Sequence, residues 1–307
     1  MVSACVDRIV PVRDGQGSSP LPPRTTPCFS RPHANESTVS MMGLLRVSRL
    51  NADPLRILRR KADGRDIDNA DPPRVSTNTI AELLADCAIP GDTLIVGVTG
   101  SVAAGKTTLC SAVAHHLQST LQIETVSTDG FLFSNETLAA RDLSMRKGYP
   151  ETYDLNRMSG ALQRVRLGPV CFPGYSHRTY DVAPELDRTI SRPDILLIEG
   201  LGLSPTPDGR NPRDLLDMLI YVDAEERDLE IWFVARFMQL WRAADRDESS
   251  FYFRFRTLTE EQAAAFAKTV WTQINLPNLR DNIVRARAMA NLVLTKSLDH
   301  SLRIAAI

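Results

Sequence analysis

Eight consecutive residues could do chemistry on a phosphate: Gly100, Ser101, Val102, Ala103, Ala104, Gly105, Lys106 and Thr107 satisfy G-x-x-x-x-G-K-[ST] in full. They follow an apolar run directly and open a helical stretch directly, which is the context this chemistry needs. Glycines let the backbone bend so that successive N–H groups face one anion. The helix start, running on through Thr108, adds its unpaired N–H groups and dipole. Lys106 is expected to reach the β- and γ-phosphates of ATP, and the Thr107 hydroxyl to ligate Mg²⁺. A glycine-rich turn that binds nothing would not need every constraint met together.

Two carboxylates could complete such a site. Residues 194–199 form an apolar strand ending in Glu199, the place from which an acid holds metal or water beside a phosphate loop. Many strands end in Glu, so the companion loop gives this one its weight. Asp129, in Ser127-Thr128-Asp129-Gly130, ends another strand, where parallel sheets open their ligand crevice. Transfer to a hydroxyl needs a carboxylate that orients the acceptor and takes its proton. A turn-forming Asp-Gly is the competing reading.

The elements that must position these groups alternate. Strands are expected at 93–98, 123–128, 194–199, 217–223 and 291–296, and helices from Lys106, at 155–167, 225–245 and 259–273. Continuous Val/Ile/Leu runs indicate strands covered on both faces. The alternation predicts an α/β fold: a P-loop-type, doubly wound, mostly parallel sheet flanked by helices, with a helical acceptor and lid region. Thr79 with Glu82, and Thr259 with Gln262, are spaced as capping boxes. Asp129 is expected on the strand neighbouring the one that feeds the phosphate loop. Trp232, Phe233, Phe237 and Leu240 form a near-helical stripe expected to be mostly core. Tyr252, Phe253 and Phe255 could be a lid or helix-packing core.

The chain divides near residue 75. Residues 11–32 are rich in Pro, Gly and Ser, so 1–75 is expected to be a disordered arm and 76–307 the folded domain. A basic stretch at 55–61 is expected to be a solvated helix face. Met41 or Met42 is an alternative start. Over 307 residues, 43% hydrophobic and 24% charged with a net charge of −1, nothing global points to nucleic acid or an anionic membrane. No apolar run reaches the ~18 residues of a membrane span. Five cysteines without paired spacing suggest small buried side chains in a reducing compartment, and the chain is expected to be cytoplasmic.

In order, GVTGSVAAGKTT, STDGFL, MRKGYPETYD, GYSHRTYDV, DILLIEGL, IYVDA, ARF, LTEEQA, WTQINLPNL and LTKSLDH resemble the segments of bacterial type I pantothenate kinases over about two-thirds of the chain. That resemblance implies phosphorylation of pantothenate by ATP with Mg²⁺, and a homodimer. It implies Asp129 as general base, Arg236 neutralising the transferring phosphoryl group, and His300 near the adenine. His177, Tyr180 and Asn275 would line the pantothenate pocket, with Phe233 where the family carries a tyrosine. Taken singly, each of these residues has an ordinary structural reading. Another small hydroxylated acceptor (glycerate, a nucleoside or a sugar phosphate), or a catalytically silent nucleotide-binding regulator, would share the phosphate loop.

Three departures carry a prediction. A basic residue that the family uses for coenzyme A feedback is Ser111 here, and aromatics of its inhibitor pocket are Leu240 and Asp245. The lost Phe233 hydroxyl would weaken acceptor binding by about 0.5–1.5 kcal/mol if its partner is neutral. Feedback inhibition by coenzyme A is therefore expected to be weak. Inhibition competitive with ATP at micromolar coenzyme A, in a steady-state assay, would contradict it.

Overall fold

The structure, a computed structural model, describes residues 73–206 and 209–305. The arm upstream of residue 73, the basic stretch 55–61 and the Met41/Met42 starts lie outside the described residues. The first described strand, β1 (Arg74–Val75), lies just ahead of residue 76 and pairs with the last strand through Arg74↔Arg303 and Val75↔Leu302.

Helix α1 (Thr77–Cys87) starts earlier than the Thr79–Glu82 spacing suggests. Ser76 is its N-cap, and its hydroxyl accepts from the Thr79 N–H at 3.0 Å. The first-turn Thr79 thus serves as the donor to the cap. Ile80, Leu83 and Leu84 bury one face of α1. The strands β2 (Leu94–Gly100), β3 (Ile123–Ser127), β8 (Ile195–Glu199), β9 (Met218–Asp223) and β10 (Leu292–Lys296) match the expected runs. Every residue of β2 and β8 is buried, as strands covered on both faces require. Between β3 and β8 lie four short strands: β4 (Pro169–Phe172), β5 (Tyr175–Ser176), β6 (Asp181–Val182) and β7 (Arg188–Ser191). They pair β4 with β7 and β5 with β6 as two small antiparallel ribbons.

The main sheet has the order β1-β11-β10-β9-β2-β8-β3, where β11 is Leu302–Ile304. Strands β10, β9, β2, β8 and β3 are parallel, and β11 and β1 add antiparallel at one edge. The strand that ends at Asp129 is not the immediate neighbour of the phosphate-loop strand, because β8 runs between them. In register, Glu199 opposes Val98 on one side and Ser127 on the other.

The helices are α2 (Lys106–Leu117), α3 (Asn135–Ala140), α4 (Leu155–Arg164), α5 (Glu226–Ala244), α6 (Glu260–Val270) and α7 (Leu276–Asp281). The capping box at α6 is present in full: the Thr259 hydroxyl accepts from the Gln262 N–H, and the Gln262 side chain accepts from the Thr259 N–H. Helix α6 does not run to residue 273 as one α-helix. It widens into a π-turn (Trp271–Asn275), in which the Leu276 N–H bonds the Trp271 carbonyl five residues back. Pro277 has no N–H to continue the ordinary ladder, and a widened turn accommodates it. A second small core of Phe237, Met238, Phe255, Ala263 and Ala267 joins α5 to α6. Of the three described cysteines, only Cys110 is buried.

At the end of the sheet where the strands begin, a buried ion pair ties three elements together. Arg166, just past α4, donates from Nη2 to Asp217 Oδ2 at 2.6 Å and from Nη1 to the Thr93 carbonyl. Asp217 also accepts from the Ile95 N–H at 2.7 Å. Both side chains are more than nine-tenths buried, at 7% and 8% exposure. Removing one partner strands the other charge away from water. Asp217→Ala is expected to lose about 3–5 kcal/mol of unfolding free energy in urea titration. A loss below ~1 kcal/mol would show that the pair is not sustaining these strand starts.

Candidate active site

Five parallel strands bring their C-terminal ends to one edge, and the expected chemical groups gather there. Gly100 closes β2 at φ 139°, and a Cβ at that position would run into the Val222 carbonyl oxygen of β9. Only glycine lets the loop leave the sheet that close to its neighbour. Ala103 and Gly105 both take positive φ, at 64° and 94°, and Gly105 caps α2 without a side-chain hydrogen bond. Such backbone turns aim N–H groups inward at an anion. Ser101 Oγ is buried among these residues without a protein partner. The loop is therefore a cradle with unspent donor capacity, which fits a polyphosphate tail.

Two lysines hold the loop. Lys106 Nζ donates to the Gly100 and Ser101 carbonyls at 3.2 and 2.8 Å. Lys296, at the end of β10, donates to the Ala104 carbonyl at 3.1 Å while lying 4.4 Å over the Trp232 ring. Burial pushes the Lys106 ammonium down from its ordinary value. Glu199 and then Asp129 oppose that shift, and Arg236 adds to it. Three other expected site residues thus act electrostatically on Lys106.

Thr107 and Glu199 meet directly, the hydroxyl donating to Glu199 Oε1 at 2.9 Å. A hydroxyl and a carboxylate are hard oxygen donors suited to Mg²⁺, which takes one or two protein ligands and completes its shell with phosphates and water. Among the described residues no cluster of three or more His, Cys, Asp or Glu could hold a metal by itself. A Mg²⁺ shared between protein and nucleotide needs none.

Asp129 sits in a short 3₁₀ turn (Thr128–Phe131) whose N-cap, Ser127, accepts the Asp129 N–H at 3.1 Å. Gly130 is required for a reason the sequence concealed. It is not at positive φ, but a Cβ there would collide with the Pro173 carbonyl. The Asp-Gly pair is thus a close backbone approach that packs the acid-bearing turn against the chain leading into β5. Tyr153 reaches Asp129 Oδ1 at 3.5 Å, and burial first, then the Asp129 charge, keeps its phenol protonated as a donor.

Around Asp129 stands an aromatic wall. The Tyr180 ring lies 6.2 Å from Tyr175 and 4.6 Å from Phe251, and Tyr175 meets His177 edge-on at 5.1 Å. The Tyr180 phenol is pushed up by burial, then by Tyr252 and Asp129, while Arg236 pulls it down. The exposed Arg236 guanidinium thus acts on Lys106 on one side and on Tyr180 and Tyr252 on the other. The aromatic cluster after α5 divides its roles: Phe255 is core, whereas Phe251 and Tyr252 approach Tyr180. Arg178 and Asp247 close the same wall with a two-point ion pair at 2.8 and 3.0 Å, and the Phe251 N–H bonds the Arg178 carbonyl.

Other expected residues occupy a second tier. Phe233 packs on the buried Trp271 ring at 5.9 Å, and Asn275 closes the π-turn that Trp271 opens. His300 sits at φ 64° in the turn between β10 and β11, stacked on Trp232 at 5.1 Å. Trp232 is therefore not plain core, since it links His300 to Lys296 and, through it, to the phosphate loop. Sequence reasoning missed Tyr153, Lys147, Tyr175, Lys296 and Phe251. The first four lie inside recognisable motifs, but nothing in their spacing says which side chains turn inward.

Lys147 is half-buried beside Tyr180 and Tyr175. Burial lowers its pKa from 10.5 to about 8, partly offset by Asp181 and Asp129. Between those values the unfolded chain holds a proton that the folded chain has released. Stability withheld at neutral pH is thus recovered as pH rises from about 8 towards 10.5. The melting temperature of the wild type relative to Lys147→Met is expected to rise across this window. A flat difference would place the ammonium in solvent.

A model of the phosphoribulokinase/uridine kinase family matches residues 95–240. A pantothenate kinase of Mycolicibacterium gilvum is 40% identical over 213 residues, covering 68% of each chain. One from Myxococcus xanthus is 41% identical over 221 residues, covering 68% of this chain and 70% of its own. Among solved structures, the Saccharomyces cerevisiae protein YFH7 superposes with a TM-score of 0.53 at 13% identity, covering 73% of this chain and 99% of that one. At that identity the likeness supports the fold alone. With its phosphate loop, its parallel sheet and relatives at this level of identity, the chain belongs to the pantothenate kinase family of ATP-dependent P-loop kinases.

Proposed function

We propose that this protein transfers the γ-phosphoryl group of ATP to the hydroxyl of pantothenate, giving ADP and 4′-phosphopantothenate, which opens coenzyme A synthesis. The observation that carries the reading is the placement of Asp129. It stands at the same sheet edge as the phosphate loop, one strand beyond Glu199, close enough for its charge to act on Lys106. The names of the relatives supply the acceptor.

The loop amides and Lys106 hold the β- and γ-phosphates, and Thr107 with Glu199 would hold Mg²⁺. When bound, that ion offsets charge on the phosphate oxygens. Asp129 takes the proton of the acceptor hydroxyl as its oxygen attacks the γ-phosphorus in line. The bond to the bridging oxygen breaks and ADP leaves. Tyr153, 3.5 Å from Asp129 Oδ1, is placed to donate to it. Arg236 meets charge on the moving group, for which a planar guanidinium is well shaped. His177, Tyr180, Asn275 and Phe233 line the acceptor side, and His300, stacked on Trp232, faces the adenine. The Tyr180–Phe251–Tyr252 wall limits access of water, which would otherwise compete as acceptor. Among the described residues no helix is long and apolar enough to cross a membrane. The active unit is a cytoplasmic homodimer, as the family resemblance implies.

Asp129→Ala is expected to lower pantothenate-dependent ADP formation about 10²–10⁴-fold, while ATP binding measured by calorimetry persists. Turnover equal to wild type would remove Asp129 from the mechanism. A panel with glycerate, nucleosides and sugar phosphates in place of pantothenate tests the acceptor. Faster turnover of any of them would reassign it.

A further inference from the structure

One residue of the acceptor wall adopts a backbone conformation that its side chain disfavours. Tyr180 has φ 57°, in the left-handed region that bulky residues seldom occupy. Such a conformation persists only where its surroundings over-determine it. Here the determinants are explicit and come from two distant segments. The Tyr180 carbonyl accepts two hydrogen bonds, from Lys147 Nζ at 2.6 Å and from Asn135 Nδ2 at 3.1 Å. Lys147 also donates to Asn135 Oδ1 at 2.6 Å, so the two side chains lock each other in place. The Asn135 N–H donates to Asp181 Oδ1 at 3.0 Å, and the Val182 N–H donates to that same oxygen at 2.8 Å. The clamp therefore grips the chain at the Tyr180 carbonyl and at the residue that follows it. Lys147 Nζ lies 4.7 Å over the Tyr180 ring and 5.2 Å over Tyr175, so its charge also holds the two rings that form the wall.

We infer that Asn135 and Lys147 are positioning residues for the acceptor: by pinning the Tyr180 carbonyl they hold that residue left-handed and set its ring in the wall facing Asp129. This rests on Tyr180 lining the acceptor site, as proposed above. The depressed proton affinity of Lys147 accords with an ammonium buried largely among neutral oxygens and rings. The protein's local geometry thus accounts for Lys147 through the Tyr180 backbone. A lysine placed to meet a negative charge on the acceptor would act by its charge instead, and the two roles respond differently to substitution.

The test uses the full-length protein, with ATP and pantothenate as substrates, and compares Tyr180→Ala, Asn135→Ala, Lys147→Met and Lys147→Gln. Asn135→Ala and Lys147→Met are expected to raise the KM for pantothenate about tenfold or more, as the loss of charge-assisted hydrogen bonds in a desolvated site implies. The KM for ATP should stay within about twofold, since uniform loss of structure would move both. Lys147→Gln retains N–H donors for the Tyr180 carbonyl and is expected to remain within about threefold of wild type. Equal defects in Lys147→Gln and Lys147→Met would overturn the inference in favour of a charge acting on the substrate. Parallel increases in both KM values with a lowered melting temperature would overturn it in favour of a merely structural role. Should Tyr180→Ala raise the KM for pantothenate while both clamp variants leave it unchanged, the clamp fails and the acceptor wall stands. An unchanged KM in Tyr180→Ala would remove the wall and the clamp together. If Asn135→Ala does not fold, the two Lys147 variants decide the matter alone.

Discussion

The site depends on five strands running the same way. Parallel pairing in register forces β2, β3, β8, β9 and β10 to end at one edge of the sheet, so the loop, Asp129, Glu199 and Lys296 all emerge there. Glu199 opposes Val98 and Ser127, each two residues short of Gly100 and Asp129 respectively. The two reactive groups are thereby separated by the width of one intervening strand, with neighbours about 4.8 Å apart. In the proposed reaction a phosphoryl group at the loop and an alcohol at Asp129 would meet across that gap, beside the carboxylate that bonds Thr107. Gly100, Gly130 and Gly200 are among the places where the chain passes too close to a neighbour for any side chain, and all three lie at this edge.

Charge is distributed to match. The loop end carries Lys106, Lys296 and the loop amides, the end at β3 carries Asp129 and Lys147, and Arg236 acts on both. Lys106 is buried and donates to two loop carbonyls, a cost offset in part by two carboxylates. A cation held this way is available to phosphate oxygens without reorganising its surroundings, which is where electrostatic catalysis gains most. On the acceptor side, rings replace charges as the wall material. They exclude water while a few polar atoms fix orientation.

Much of this was legible in the chain because the signals were long or jointly constrained. Continuous apolar runs marked the five parallel strands, and the jointly constrained residues of the phosphate loop pointed to one chemistry. What escaped was set by contacts far apart in sequence. β1 is two residues long and exists only because β11 is there to pair with it. The ribbons at 169–191 carry no alternation long enough to read. That β8 lies between β2 and β3 is a matter of sheet order, to which spacing is blind. Ser76 displaced Thr79 as the cap by a shift of three positions, within what local pattern can mistake. Tyr153 and Lys147 lay inside the quoted segment MRKGYPETYD, yet only the fold reveals that the first faces Asp129 and the second grips Tyr180.

The central claim is that one site holds both phosphate donor and alcohol acceptor, so that the phosphoryl group moves between them in a single displacement. ATP made chiral at the γ-phosphorus with oxygen isotopes tests this directly, with pantothenate as acceptor and the configuration read in the product. A single in-line displacement inverts the phosphorus, and inversion is the predicted result. Retention would mean two displacements through a phosphorylated protein side chain, and would contradict the assignment of Asp129 and the loop to one shared step.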